Sequence, residues 1–202
     1  MRRIAVVLGL CALLLPMAAW ADVIDLTNQF GTVNVTNAGV VSKGAELMKY
    51  NGIVAPLGGS LGSVSFSTGA FTGASILTGG TFSSTGSSFV VEGVGSSGQP
   101  KGIIFSGAFV GPITWTLVSQ VGKFTYNFTL SGTIYGMFDG RNVTGTTTQN
   151  ITLSKNQWNH DHTGWVRLGD TKWPVPEPGT LGLLGTGLIA VAGTMRRKLF
   201  GS

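Results

Sequence analysis

The sequence predicts an all-β fold, a single antiparallel β-sandwich, and three observations carry that expectation. From Asp22 to about Trp173 the chain is filled with Gly, Ser, Thr, Asn and β-forming residues, with few of the Glu, Lys, Leu and Ala that build helices. Several runs alternate strictly between apolar and polar residues, as a strand with one buried face requires. Turn signals separate the runs at Gly79-Gly80, Gly95 to Pro100, Gly111-Pro112, Gly122 and Asp139-Gly140. A β-solenoid is the runner-up, because Gly58 to Gly95 is rich in small residues, although it has no fixed repeat period.

The first element lies outside the β-region. Arg2 and Arg3 precede an apolar run from Ile4 to Leu15, and Ala19-Trp20-Ala21 supplies the small-x-small pattern of a cleavage site. Residues 1–21 therefore read as a signal helix for the Sec machinery, removed by signal peptidase to leave Asp22 first. The apolar run is short for a retained membrane span.

Within the body, Lys43 to Tyr50 is the one stretch compatible with a helical turn. Val64 and Phe66 alternate with Ser63, Ser65 and Ser67. Ser88 to Val94 and Gly102 to Val110 hold adjacent apolar residues, which suits strands covered on both faces or bulged at a glycine. Ile113, Trp115 and Leu117 alternate with Thr114 and Thr116, and Phe124, Tyr126, Phe128 and Leu130 alternate with Thr125, Asn127, Thr129 and Ser131. Trp115, Phe124, Tyr126, Phe128 and Leu130 are the expected core. Asn142 to Ser154 repeats the alternation more weakly. The β-rich domain is thus expected over 22–173.

Residues 174–202 form the last unit. Each proline in Val175-Pro176-Glu177-Pro178 pushes the residue before it into extended geometry, so this segment reads as a linker. Gly179 to Met195 is an uncharged stretch of seventeen residues, at the lower limit for a membrane-spanning helix. Arg196, Arg197 and Lys198 follow as a stop-transfer cluster that stays cytoplasmic by the positive-inside rule, with the β-domain across the membrane.

Charge and cysteine narrow the classes. Of the thirteen Lys and Arg, two lie in the signal and three at residues 196–198, leaving eight against seven carboxylates in the body, a net of about +1. A nucleic-acid binder needs its basic excess on the folded domain, so that class is set aside. Cys11 is the only cysteine and falls inside the signal, so packing alone must stabilise the mature body.

Candidate chemistry is sparse, and no catalytic residue or cofactor is expected. Gly58-Gly59-Ser60-Leu61-Gly62 matches the nucleophile-elbow pattern, but the pattern needs a helix after Ser60, and another strand is expected there. Gly93, Gly95 and Gly98 match a dinucleotide-binding spacing, yet Gln99-Pro100 stands where a helix should open. Asn159-His160-Asp161-His162 offers two imidazoles on one strand face, which with Asp139 or Asp170 could hold a divalent metal. A polar loop is the preferred reading. Trp158, Trp165 and Trp173 flank the histidines and could stack on sugar rings, although core packing for Trp165 and a bilayer-interface position for Trp173 are preferred.

Val175-Pro176-Glu177-Pro178, the apolar stretch and the basic cluster together closely resemble the PEP-CTERM sorting signal of Gram-negative bacteria. The resemblance implies that Pro176, Glu177 and Pro178 are recognised by exosortase, a membrane-embedded processing enzyme. It also implies a place at the cell surface or in an exopolysaccharide or biofilm matrix after a transient stay in the cytoplasmic membrane. It covers only the tail. The reading that follows is an exported, non-catalytic envelope or matrix protein, with a carbohydrate- or metal-binding module as the alternative.

Overall fold

Eight strands pair edge to edge until the last meets the first. The computed structural model describes residues 22–96, 98–155 and 162–175. In chain order the strands are β1 (Asp22–Thr36), β2 (Gly39–Tyr50), β3 (Ile53–Val54), β4 (Gly62–Ser67), β5 (Phe71–Ser75), β6 (Gly79–Phe82), β7 (Ser88–Val94), β8 (Lys101–Val121), β9 (Thr125–Phe138), β10 (Arg141–Lys155) and β11 (His162–Val175). Pairing runs β1-β2-β4-β7-β8-β9-β10-β11 and returns to β1, a closed eight-stranded antiparallel barrel.

The expected all-β class is what forms, but the sandwich and the solenoid are both corrected to a barrel. Alternation records that one face of each strand is buried, and this holds equally in a sandwich and in a sheet closed on itself. The difference lies in the pairing of β1 with β11 and of β8 with β9, which leaves none of the eight strands as a free sheet edge. The signal helix and the apolar helix 179–195 lie outside the described residues.

The expected helical turn at Lys43 to Tyr50 is strand β2, and the reason for the misreading is visible. Gly31 and Gly44 take φ of 55° and 65°, and the register between Ser42 and Ala45 shifts there. The inward set therefore changes from Val40 and Ser42 to Ala45 and Leu47, a spacing that imitates a helical period. A side chain at Gly31 would run into the backbone of Ala45 at 2.5 Å, so the kink depends on glycine. Of the two strands with adjacent apolar residues, β7 alternates plainly with Phe89, Val91 and Gly93 inward, while β8 is bulged at Ile104, between Ile103 and Phe105, so that Ile104 and Phe105 are both buried.

Aromatic rings fill the barrel. Trp115 stacks on Phe128 with centroids 4.3 Å apart and planes 11° from parallel, and its Nε1 donates to the carbonyl of Ile76 at 2.8 Å. Phe66, Phe89 and Phe109 form a second group, and Phe105 and Phe138 enclose Trp173 from two sides. Trp115, Tyr126, Phe128 and Leu130 are buried as expected. Phe124 is not: it is 41% exposed, because β9 begins at Thr125 and Phe124 belongs to the three-residue turn after β8. The β5–β6 hairpin continues the edge of β8 beyond β7 and lays Phe82 against Trp115.

A hydrogen-bonded polar cluster is also buried. Asn28 Nδ2 donates to Gln149 Oε1 at 3.0 Å and Gln149 Nε2 donates back to Asn28 Oδ1 at 3.3 Å, while Gln149 Nε2 also reaches Thr147 Oγ1 at 2.9 Å. Thr147 Oγ1 in turn meets Thr171 Oγ1 at 2.7 Å. These bonds tie β1 to β10 and β11 across the seam where the barrel closes. The space for the pair exists because residue 169 is glycine: a methyl group there would strike both amide oxygens. Gln149→Leu leaves the Asn28 amide buried without its partner, so the unfolding free energy should fall by about 1–3 kcal/mol in a urea titration. An unchanged midpoint would show that the pair contributes nothing to closure.

Outward positions between the barrel ends are dominated by Ser, Thr and Asn, as in Ser63, Ser65 and Ser67 on β4 or Thr144, Thr146 and Thr148 on β10. A membrane-spanning barrel has an apolar outside and a polar lumen. This wall is the reverse, an apolar inside under a hydroxyl-rich surface.

Candidate functional site: the last strand, the sorting tail and the barrel surface

Antiparallel closure of β1 against β11 fixes where the chain enters and leaves. The barrel begins at Val23 and finishes at Pro174 on neighbouring strands, so both exits share one end. The same end carries the β2–β4 connection, the β7–β8 turn and the β9–β10 turn. Two electrostatic contacts mark it. Lys49 Nζ lies 2.8 Å from Asp25 Oδ2, and that hydrogen bond holds the Asp25 carboxyl below its ordinary range. Burial, reinforced by the charge of Asp139 in the β9–β10 turn, pushes the Tyr50 hydroxyl above the usual tyrosine value.

The strand that leads into the tail is anchored immediately before it. Trp173 is fully buried between Phe105 and Phe138, two residues ahead of the strand's end at Val175. The expectation of a bilayer-interface position for Trp173 is therefore corrected, as is core packing for Trp165, which is 45% exposed. Neither nearness to the tail nor local composition sets which face a side chain takes. Strand parity decides instead: after the register shift at Asn150 and Ile151, Trp165 points outward and Val166 inward. Pro176, Glu177, Pro178, Arg196, Arg197 and Lys198 lie outside the described residues, as do Trp158 and His160.

Neither Asp139 nor Asp170 is placed beside His162. His162 opens β11, whereas Asp139 sits at the opposite end of β10, whose fifteen residues run about 45 Å along the strand. Asp170 is eight residues further along β11, with its carboxylate 3.0 Å from Lys172 Nζ. Among the described residues no three metal-ligating side chains come together. Ser60 precedes strand β4, with no helix after it.

Two surface features escaped the sequence reading. An open groove of about 630 Å³ runs along the outer wall, where Thr32 and Asn34 of β1, Val41 and Lys43 of β2, and Thr163 and Trp165 of β11 line it. It combines an exposed indole with hydroxyl, amide and ammonium groups. The second feature is the β2–β4 connection, Ile53-Val54-Ala55-Pro56-Leu57, an apolar run in a loop. Asn51 and Gly52, with φ of 44° and 85°, make the tight turn that delivers it. The Asn-Gly pair and the lack of polar residues after it were the available signals.

Residues 174–198 match the family model of the PEP-CTERM protein-sorting motif. The match starts at Pro174, inside the last barrel strand. The motif implies an exported, membrane-passing protein processed by exosortase. Comparison with curated proteins and with solved structures finds no match to the chain.

Proposed function

We propose that the chain is a non-catalytic envelope or matrix protein: a hydroxyl-coated barrel exported by Sec, held briefly in the cytoplasmic membrane by residues 179–198, and released by exosortase to the cell surface or an exopolysaccharide matrix. The observation that carries this reading is the junction at Val175. The matched sorting segment follows the anchored end of β11 without a further domain between them, so the barrel is the cargo of the tail. Pro176-Glu177-Pro178 is then a short extended stretch next to the bilayer, the form in which a membrane enzyme can grip a backbone. Fractionation of cells with and without exosortase, using body-specific and tail-specific antibodies, tests it. The body should leave the membrane only where the enzyme is present. Equal release in both hosts would remove the enzyme from the account.

A second reading is favoured by the Trp165 groove. An exposed indole offers a flat apolar face for a sugar ring, and Asn34, Thr32 and Thr163 supply donors and acceptors around it. The barrel then binds the polysaccharide among which it is released. Binding to a polysaccharide array that falls at least tenfold in Trp165→Ala supports this reading, and equal binding of both forms removes it.

A further inference from the structure

We propose that the end of the barrel from which the tail emerges carries an apolar rim that seats on the lipid surface while the tail is in the membrane. The proposal rests on the reading that residues 179–195 span the bilayer.

The rim is built from neighbouring strands. Going round the barrel from β1, exposed aliphatic side chains occur at Val23 on β1, Val54 and Leu57 after β2, Val94 on β7, Ile103 on β8 and Met137 on β9. Leu57 is fully exposed and Val54 and Ile103 are about two-thirds exposed. These six lie at the end that Val23 and Pro174 share, while the outward positions above them are mostly Ser, Thr and Asn. Loops of a water-facing barrel are expected to be polar, so an Ile-Val-Ala-Pro-Leu run at a loop tip calls for an apolar partner.

Chain length identifies that partner. From Val175, the last residue of β11, to Gly179, where the uncharged stretch opens, the chain extends at most about 14 Å. The interfacial region outside the hydrocarbon is itself about 5–8 Å deep on each side. Val175 is therefore held no more than about 6–9 Å beyond the headgroups, a distance that the loops and side chains of the same barrel end can span. Its charges are mixed, Lys101 and Arg141 with Glu92 and Asp139, so the contact is apolar and does not depend on anionic lipid. Among the described residues, Val118, Val121 and Phe124 are also exposed at the β8–β9 tip, at the far end of a fourteen-residue strand, and serve as the internal control.

Residues 22–202 contain no cysteine, so single-cysteine variants of this signal-free, tail-bearing form are straightforward. Leu57→Cys, Ile103→Cys, Lys123→Cys and Ile189→Cys, each labelled with an environment-sensitive fluorophore, are reconstituted into phosphatidylcholine vesicles with or without phosphatidylglycerol. Spin-labelled lipids are the quencher. The expected result is blue-shifted emission and several-fold stronger quenching at 57 and 103 than at 123, the same in both vesicle types, with 189 quenched most deeply. Water-like emission at 57 and 103 beside a deeply quenched 189 overturns the rim and leaves the spanning tail intact. Quenching at 57 and 103 only with phosphatidylglycerol overturns the apolar contact. A water-like 189 overturns the tail reading and the rim with it.

Discussion

Phe128→Ala should lower the unfolding free energy of the mature protein by about 3–5 kcal/mol, the range for removing a large buried aromatic side chain. Phe128 is 1% exposed and stacks on Trp115, so its loss opens a cavity against the indole as well as removing apolar area from the core. Against the usual total of about 5–15 kcal/mol, this removes a third or more of the stability near the middle of the range and almost all of it at the low end. Trp115 is held by its own bond to the Ile76 carbonyl and by Phe82, so it cannot move freely to fill the space. A denaturation curve shifted by less than about 1 kcal/mol would show that this face does not form the packed interior.

Replacing Pro176, Glu177 and Pro178 with alanines should abolish tail removal in a host that has exosortase. The uncharged stretch and Arg196, Arg197 and Lys198 are unchanged by the replacement, so insertion and orientation should be retained. What changes is the linker: without prolines it is free to continue as helix from the stretch that follows, and the enzyme loses both its extended backbone and its carboxylate. The altered protein should accumulate full-length in the inner membrane. Deleting Arg196 to Lys198 should act at a different step, by weakening the retention of the tail on the cytoplasmic side. Normal processing of the alanine form would reduce the motif to an ordinary anchor stalk.

The strands and their faces were largely legible from the sequence, because alternation is a local property. The alternation of β9 alone places Tyr126, Phe128 and Leu130 inward, and they are inward. Closure was not legible. It depends on β1 meeting β11, and the pair that marks the seam, Asn28 and Gln149, is 121 residues apart in the chain. Nothing local distinguishes those two amides from the many surface Asn and Gln of a polar β-protein. Phase changes at paired glycines hid the parity of β2, and the register shift in β10 and β11 exchanged the expected roles of Trp165 and Trp173. The sorting motif was legible because it is read by an enzyme as a linear segment and needs no fold to bring its parts together. The groove and the apolar rim needed the topology, since each collects residues from three or more strands.

The most direct test of the account is the intact mass of the barrel recovered from outside the cytoplasmic membrane of a host with exosortase. The account predicts a chain that begins at Asp22 and has lost the whole of residues 179–202. Recovery of an exported chain that still carries Gly179 to Lys198 would contradict it.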